Sequence, residues 1–201
     1  DGLPDATGRQ RHVEMVDAWS YLTQEEYSAR RNVKLFNLCR SYKYQSTGYY
    51  VSLLAEARGH KPLPSITGLQ DLKSAAMVRY AAEELDDVIQ KSLAPLQSNR
   101  FSLSIYFGRN LAKRYERLSR QLFNIFQAPL LRIKFVRNGQ WQMRSVKAIA
   151  ANDVPKSHWP FVIAQATRHF SGRAVSKGKQ SRMRYDMAIL HEPEEAENAP
   201  S

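Results

Sequence analysis

A chain of 201 residues with 43% hydrophobic content can bury one substantial core, or at most two small ones, because the buried fraction of surface rises with size. Thirty Lys and Arg against nineteen Asp and Glu leave a formal charge of +11, a field that attracts polyanions and acidic partners or keeps a protein dissolved. No run of about 18 apolar residues could span a bilayer, Asp1 to Arg11 lack the apolar stretch of a secretory signal, and Cys39, the single cysteine, excludes an internal disulfide and a cysteine-based structural zinc site.

Val13 to Val16 is a short, largely apolar stretch that reads as a strand. Thr23 precedes Glu26 at the spacing in which a cap hydroxyl and a Glu side chain satisfy each other's free backbone donors, so a short helix is expected from there to about Arg31. Val33 to Leu38 carries strand formers, and Arg40 to Thr47 is a polar loop. Gly48 then opens a helix whose Tyr49, Tyr50, Leu53, Leu54 and Ala57 supply an apolar face at helical spacing. Gly59 ends that helix, because glycine best tolerates the left-handed conformation past a helix C-terminus. Pro62 and Pro64 make His60 to Ser65 an extended crossing. This order of strand, polar loop, helix, Gly and extended chain is that of a βα unit in an open sheet.

Thr67 and Gln70 repeat the capping spacing, and Leu69 to Leu93 is expected to be mostly helical before Pro95 stops it. Phe101 to Phe107 alternates apolar and polar residues as a strand does, and Gly108 ends it. From Asn110 to Phe126 the residues Leu111, Tyr115, Leu118, Leu122 and Phe126 recur at three or four, which predicts an amphipathic helix. Leu130 to Val136 and Trp141 to Ile149 flank Asn138-Gly139, the pair that best accepts a tight hairpin turn. Pro155 and His158-Trp159-Pro160 introduce a helix from about Phe161 to Phe170. Ser171 to Ser181 is basic and reads as loose, and Tyr185 to Leu190 is a short apolar strand with nothing after it to pair with. The expected fold class is therefore mixed α and β: one open sheet of about five to six strands with an N-terminal Rossmann-like βα unit, an antiparallel hairpin and flanking helices.

Two sets of residues are candidates for chemistry. The loop of Arg40, Ser41, Tyr42, Lys43, Gln45 and Ser46 leading into Gly48 should lie at the carboxyl edge of the sheet and at a helix N-terminus, where free N–H groups and the helix dipole favour an anion. A carboxylate or phosphate could be held there; the alternative is a structural network with Lys43 merely solvated. With Gly48 as its one glycine, the loop has no dinucleotide fingerprint. The second set is Arg109, Lys113, Arg117 and Arg120, spaced by four, four and three along the predicted helix and so on one face. That face could grip a phosphate backbone or an acidic partner, or be an ordinary solvated surface. Between Arg117 and Arg184 fourteen basic residues stand against one acid, Asp153. Cys39 reads as a buried apolar residue rather than a nucleophile. The histidines are scattered without metal-ligand spacing, so no metal site is expected.

Three stretches carry a resemblance. LFNLCRSYKYQSTGYYVSLLAEARGHKPLPS (Leu35 to Ser65), LSIYFGRNLAKRYERLSRQLFNIFQAPLLR (Leu103 to Arg132) and RYDMAILHEP (Arg184 to Pro193) resemble the N-terminal domain of RimK-like ATP-grasp proteins, over about Val13 to Pro193. The resemblance implies a mixed α and β accessory domain that precedes an ATP-grasp module in bacterial proteins. Such modules join a carboxylate to an amine through an acyl-phosphate, using ATP and Mg²⁺, and their relatives ligate amino acids, short peptides or protein C-termini. It assigns no catalytic residue to the N-terminal domain.

Taken together, residues 1–12 are expected to be a flexible lead, 13–170 the RimK-like N-terminal domain, and 171–201 a basic linker with a stub strand leading toward an absent ATP-grasp domain. Both ends read as cut from something longer. The expected function is substrate positioning for a carboxylate–amine ligase, with no cofactor of its own and with ATP and Mg²⁺ in the full-length protein. Expected partners are the ATP-grasp domain of the same polypeptide and an anionic amino acid or peptide, in the cytoplasm and away from membranes. The alternative is a basic binding module for nucleic acid or acidic proteins.

Overall fold

The computed structural model describes residues 3–4, 10–11, 13–31, 33–171 and 187–191. Two short strands, β1 (Leu3–Pro4) and β2 (Gln10–Arg11), pair antiparallel. Strand β3 (Val13–Asp17) runs directly into helix α1 (Ala18–Thr23), because the Asp17 carboxylate accepts the Ser20 N–H at 2.9 Å and caps the first turn. Thr23, read as a helix cap, is instead the last residue of α1, its hydroxyl donating to the Trp19 carbonyl. The short helix expected between Thr23 and about Arg31 is α2 (Glu25–Ala29), which forms without a side-chain cap.

The βα unit forms as expected. Strand β4 (Lys34–Asn37) leads through the polar loop into helix α3 (Thr47–Ala57), Gly59 takes φ +73°, and β5 (Lys61–Leu63) pairs parallel to β4. The face that α3 buries differs from the expected one. Gly48, Val51, Ser52 and Ala55 are buried, while Tyr50, Leu53 and Ala57 are exposed. Small residues win that face because the helix start lies close to the loop that leaves β4: a Cβ on Gly48 would meet the Ser41 carbonyl oxygen at 2.4 Å and Cys39 Cβ at 2.8 Å. The Asn37 amide also reaches across to the Gly48 carbonyl at 2.6 Å and the Ser52 hydroxyl at 2.9 Å, satisfying polar groups that burial would otherwise penalise.

The long helix expected over Leu69 to Leu93 is three. These are α4 (Ile66–Asp71), α5 (Ala75–Glu84) and α6 (Asp86–Leu93), with α4 and α5 capped by the Ser65 and Ser74 hydroxyls. Ser65 thus does the work expected of Thr67. Strand β6 (Arg100–Tyr106), helix α7 (Glu116–Phe126) and the hairpin β7 (Leu130–Asn138) and β8 (Gln140–Ala148) complete an antiparallel sheet ordered β6-β7-β8. Gly139 takes φ +73° at the hairpin turn. Helix α8 (Trp159–Ser171) follows.

Strand β9 (Met187–His191) is the largest departure from expectation. It is no unpartnered stub: it lies between β3 and β4, parallel to both, with Val13 and Lys34 each in register with Met187. The parallel sheet is ordered β3-β9-β4-β5, so the strands divide between a parallel sheet of four and an antiparallel sheet of three instead of sharing one. An apolar run without alternation is the sequence signature of an inner parallel strand, but no local pattern names its partners.

Three buried clusters result. One joins Val16, Tyr21, Leu35, Val51 and Ala55 around α1, α3 and β4. Another packs α5, α6 and α7 on one face of the antiparallel sheet through Ile89, Leu103, Leu118, Leu122, Phe126 and Ile133. The third lies at the seam between the sheets, where Phe36 and Leu38 meet Tyr106, Phe107 and Leu130 beneath Val162 and Ala166 of α8. The mixed α and β class read from the sequence is the one found, and α8 roofs the seam.

Candidate functional site

At the end of β6 the chain reverses in two residues. Tyr106 N–H donates to the Arg109 carbonyl at 2.7 Å and Arg109 N–H to the Tyr106 carbonyl at 3.0 Å. The residues between them, Phe107 and Gly108, take φ +49° and +79°, the positive values that a tight hairpin turn of this hand requires. Glycine accepts that backbone readily, whereas a bulky phenylalanine there is an outlier. Phe107 is held in place by packing: it is 6% exposed, with its ring centroid 4.8 Å from Phe36 and 5.9 Å from His169. Gly108 is needed for closeness as well, since a Cβ would meet the Phe123 ring at 3.2 Å.

The turn delivers Arg109 to the start of α7. Asn110 then holds the chain out of a helix: its side-chain oxygen accepts the Ala112 N–H at 2.8 Å, and its amide donates to the Ser104 carbonyl at 2.7 Å. Such local side-chain bonds compete with helix formation. A 3-10 turn at Lys113–Tyr115 intervenes, and the helix proper starts at Glu116.

Arg109, Arg120 and Arg168 converge beneath this turn. They line a cavity of about 280 Å³ with Asn124, Gln165 and His169, and its apolar side is Phe107, Gly108 and Phe123. The Glu116 carboxylate pairs with Arg109 and, at 2.7 Å, with Arg120, while among the described residues Arg168 makes no ion pair. Three arginines thus line one cavity, and two of them share a single carboxylate. The Arg109 pKa is pushed below the usual arginine value, first by burial and then by repulsion from Arg120 and Arg168. An added carboxylate or phosphate would relieve that repulsion, and guanidinium forks bind such groups through paired hydrogen bonds.

The stripe expected from Arg109, Lys113, Arg117 and Arg120 does not form. Arg109 lies in the turn and Lys113 in the 3-10 segment, so only Arg117 and Arg120 belong to α7. Arg109 and Arg120 line the cavity, with neither Lys113 nor Arg117 beside them. Sequence reasoning missed Arg168, His169 and Gln165, which no spacing connects to Arg109. The one available signal was Phe107-Gly108 at a strand end.

The loop after β4 does lie at the carboxyl end of that strand and the N-terminus of α3. Several of its candidates are spent on its own architecture. The Ser46 hydroxyl oxygen accepts the Tyr49 N–H at 3.4 Å, and its one proton is shared between the Ser41 and Lys43 carbonyls, while the Tyr42 hydroxyl donates to the Asn37 carbonyl at 2.6 Å. Gly48 packs against Ser41 and Cys39. Arg40, Lys43 and Gln45 are exposed, Gln45 at φ +65°. Cys39 is fully buried, as read from the sequence.

A family model described as the RimK-like ATPgrasp N-terminal domain matches residues 18–165. No curated protein and no solved structure matches the chain. The matched span takes in Arg109, Glu116 and Arg120 and stops within α8, before Arg168 and His169.

Proposed function

The chain belongs to the family of RimK-like ATP-grasp N-terminal domains, and on that premise we propose that it is an accessory domain that positions an anionic substrate for a RimK-type ATP-grasp carboxylate–amine ligase. The observation that carries this reading is the meeting of Arg109, Arg120 and Arg168 at one cavity, where Arg109 and Arg120 share the carboxylate of Glu116. A ligase of this chemistry must hold a carboxylate, and a preformed arginine cavity binds one with geometric selectivity. In this reading ATP and Mg²⁺ belong to the ATP-grasp region, with the cytoplasm as the setting and an anionic amino acid or peptide as the ligand. The β4–α3 turn is a poor fit for a nucleotide phosphate, because Ser46 already caps the helix and Gly48 is packed against the chain.

The test is calorimetry of the chain with a triglutamate peptide and, separately, with ATP and Mg²⁺. Saturable peptide binding is expected, weakened about tenfold or more by Arg168→Gln, as loss of a charge-assisted hydrogen bond entails, and weakened by salt. Tight ATP binding, or no saturable binding of any carboxylate ligand, would overturn the proposal.

A further inference from the structure

A second cavity, of about 210 Å³, adjoins the first and shares Phe123, Asn124 and His169 with it. Its far end carries Lys34 and Lys61. These open β4 and β5 as direct register partners, so the two lysines stand side by side on adjacent parallel strands. Between the two basic ends lies a floor of rings: His169 is 5.8 Å from Phe36, 5.9 Å from Phe107 and 5.6 Å from Phe123, centroid to centroid. The order along the floor is positive, aromatic, positive.

We infer that the two cavities form one groove for a ligand with two carboxylates separated by an apolar stretch, a dicarboxylate or a short acidic peptide of that form. The inference rests on the arginine cavity being the anion site proposed above and adds the lysine end as a second anchor. A polyphosphate carries charge along its whole length and would bury unpaired charge against the rings, which is costly. A methylene chain suits them, with the Asn124 and Gln165 amides at hand for a peptide link.

The experiment is calorimetry at low salt with glutarate, adipate and pimelate, with hexanoate as the single-headed control and pyrophosphate as the other source of two anionic groups. At least one dicarboxylate should bind about tenfold tighter than hexanoate, the gain of one additional charge-assisted contact. Lys61→Gln, at an exposed position, should abolish that advantage and leave hexanoate unchanged, while Arg168→Gln weakens both. Equal binding of dicarboxylates and hexanoate, or an unchanged advantage in Lys61→Gln, overturns the second anchor and leaves the arginine cavity standing. Pyrophosphate binding tighter than every dicarboxylate overturns the apolar middle. If none of these ligands binds, or Arg168→Gln changes nothing, the underlying anion site falls as well.

Discussion

His60 is 4% exposed, with the Tyr21 hydroxyl 2.7 Å from Nδ1 and the Arg30 carbonyl 3.1 Å from Nε2. A carbonyl can only accept, so the ring proton sits on Nε2 and Nδ1 accepts from Tyr21. Burial depresses the His60 pKa below its ordinary 6.5; the Arg30 carbonyl opposes this, and Arg58, Arg31 and Arg30 add to it. The unfolded chain therefore takes up this proton at higher pH than the folded one, and stability present above about pH 6.5 is lost as pH falls. Thermal melts between pH 7.5 and 5.5 should show a falling midpoint, and His60→Gln should flatten that slope even if it lowers the midpoint at neutral pH. A midpoint that does not move in the parent would refute the assignment. Arg58 adds to this corner by donating to the Tyr21 and Leu22 carbonyls at 2.6 and 3.0 Å, which ties α1 to the end of α3.

Among the elements, the Phe107–Gly108 turn poses a contest of magnitudes. Phe107→Asn would suit positive φ and relieve backbone strain of about 1–3 kcal/mol, but it removes an aromatic ring from the seam, a loss of about 3–5 kcal/mol for a large-to-small change. Packing should win, giving a net destabilisation in urea unfolding; a more stable variant would show the ring to be dispensable. The same contest explains what could be read from sequence. The βα unit, the hairpin and α8 follow local signals at Gly59, Asn138-Gly139 and His158-Trp159-Pro160, and the structure has them. The start of α4 was misread because the cap spacing at Thr67 competes with a better-placed partner, Ser65, and α1 was missed because its cap, Asp17, is the last residue of a strand. The buried face of α3 was misread because close approach favours Gly48 and Ala55 over larger apolar residues. Of the candidate site, Arg109 and Arg120 were legible as cations, but their meeting with Arg168 depends on a turn and on a helix distant in the chain.

At the scale of the molecule, the antiparallel sheet is built from strands close in sequence, whereas the parallel sheet is held together by β9. Among the described residues β3 pairs with β9 alone, and the family match at 18–165 includes neither. A chain ended after Ser171 should therefore lose hydrogen-exchange protection in β3 and in the β4 amides that face β9, while β6, β7 and β8 keep theirs. Full protection in all five would show that β9 is not required. The net charge of +11 and its concentration in the second half leave the groove in a positive field, so ligand capture should be faster at low ionic strength.

The position of β9 also sets a timetable. On the ribosome, β6, β7 and β8 can zip together as they emerge, whereas β3, made well over a hundred residues before β9, has its hydrogen-bonding groups idle until His191 has cleared the exit tunnel, since pairings between distant stretches form slowest. Through that interval a nascent strand edge is open to the wrong neighbour, and the cell's chaperones inherit the task of shielding it.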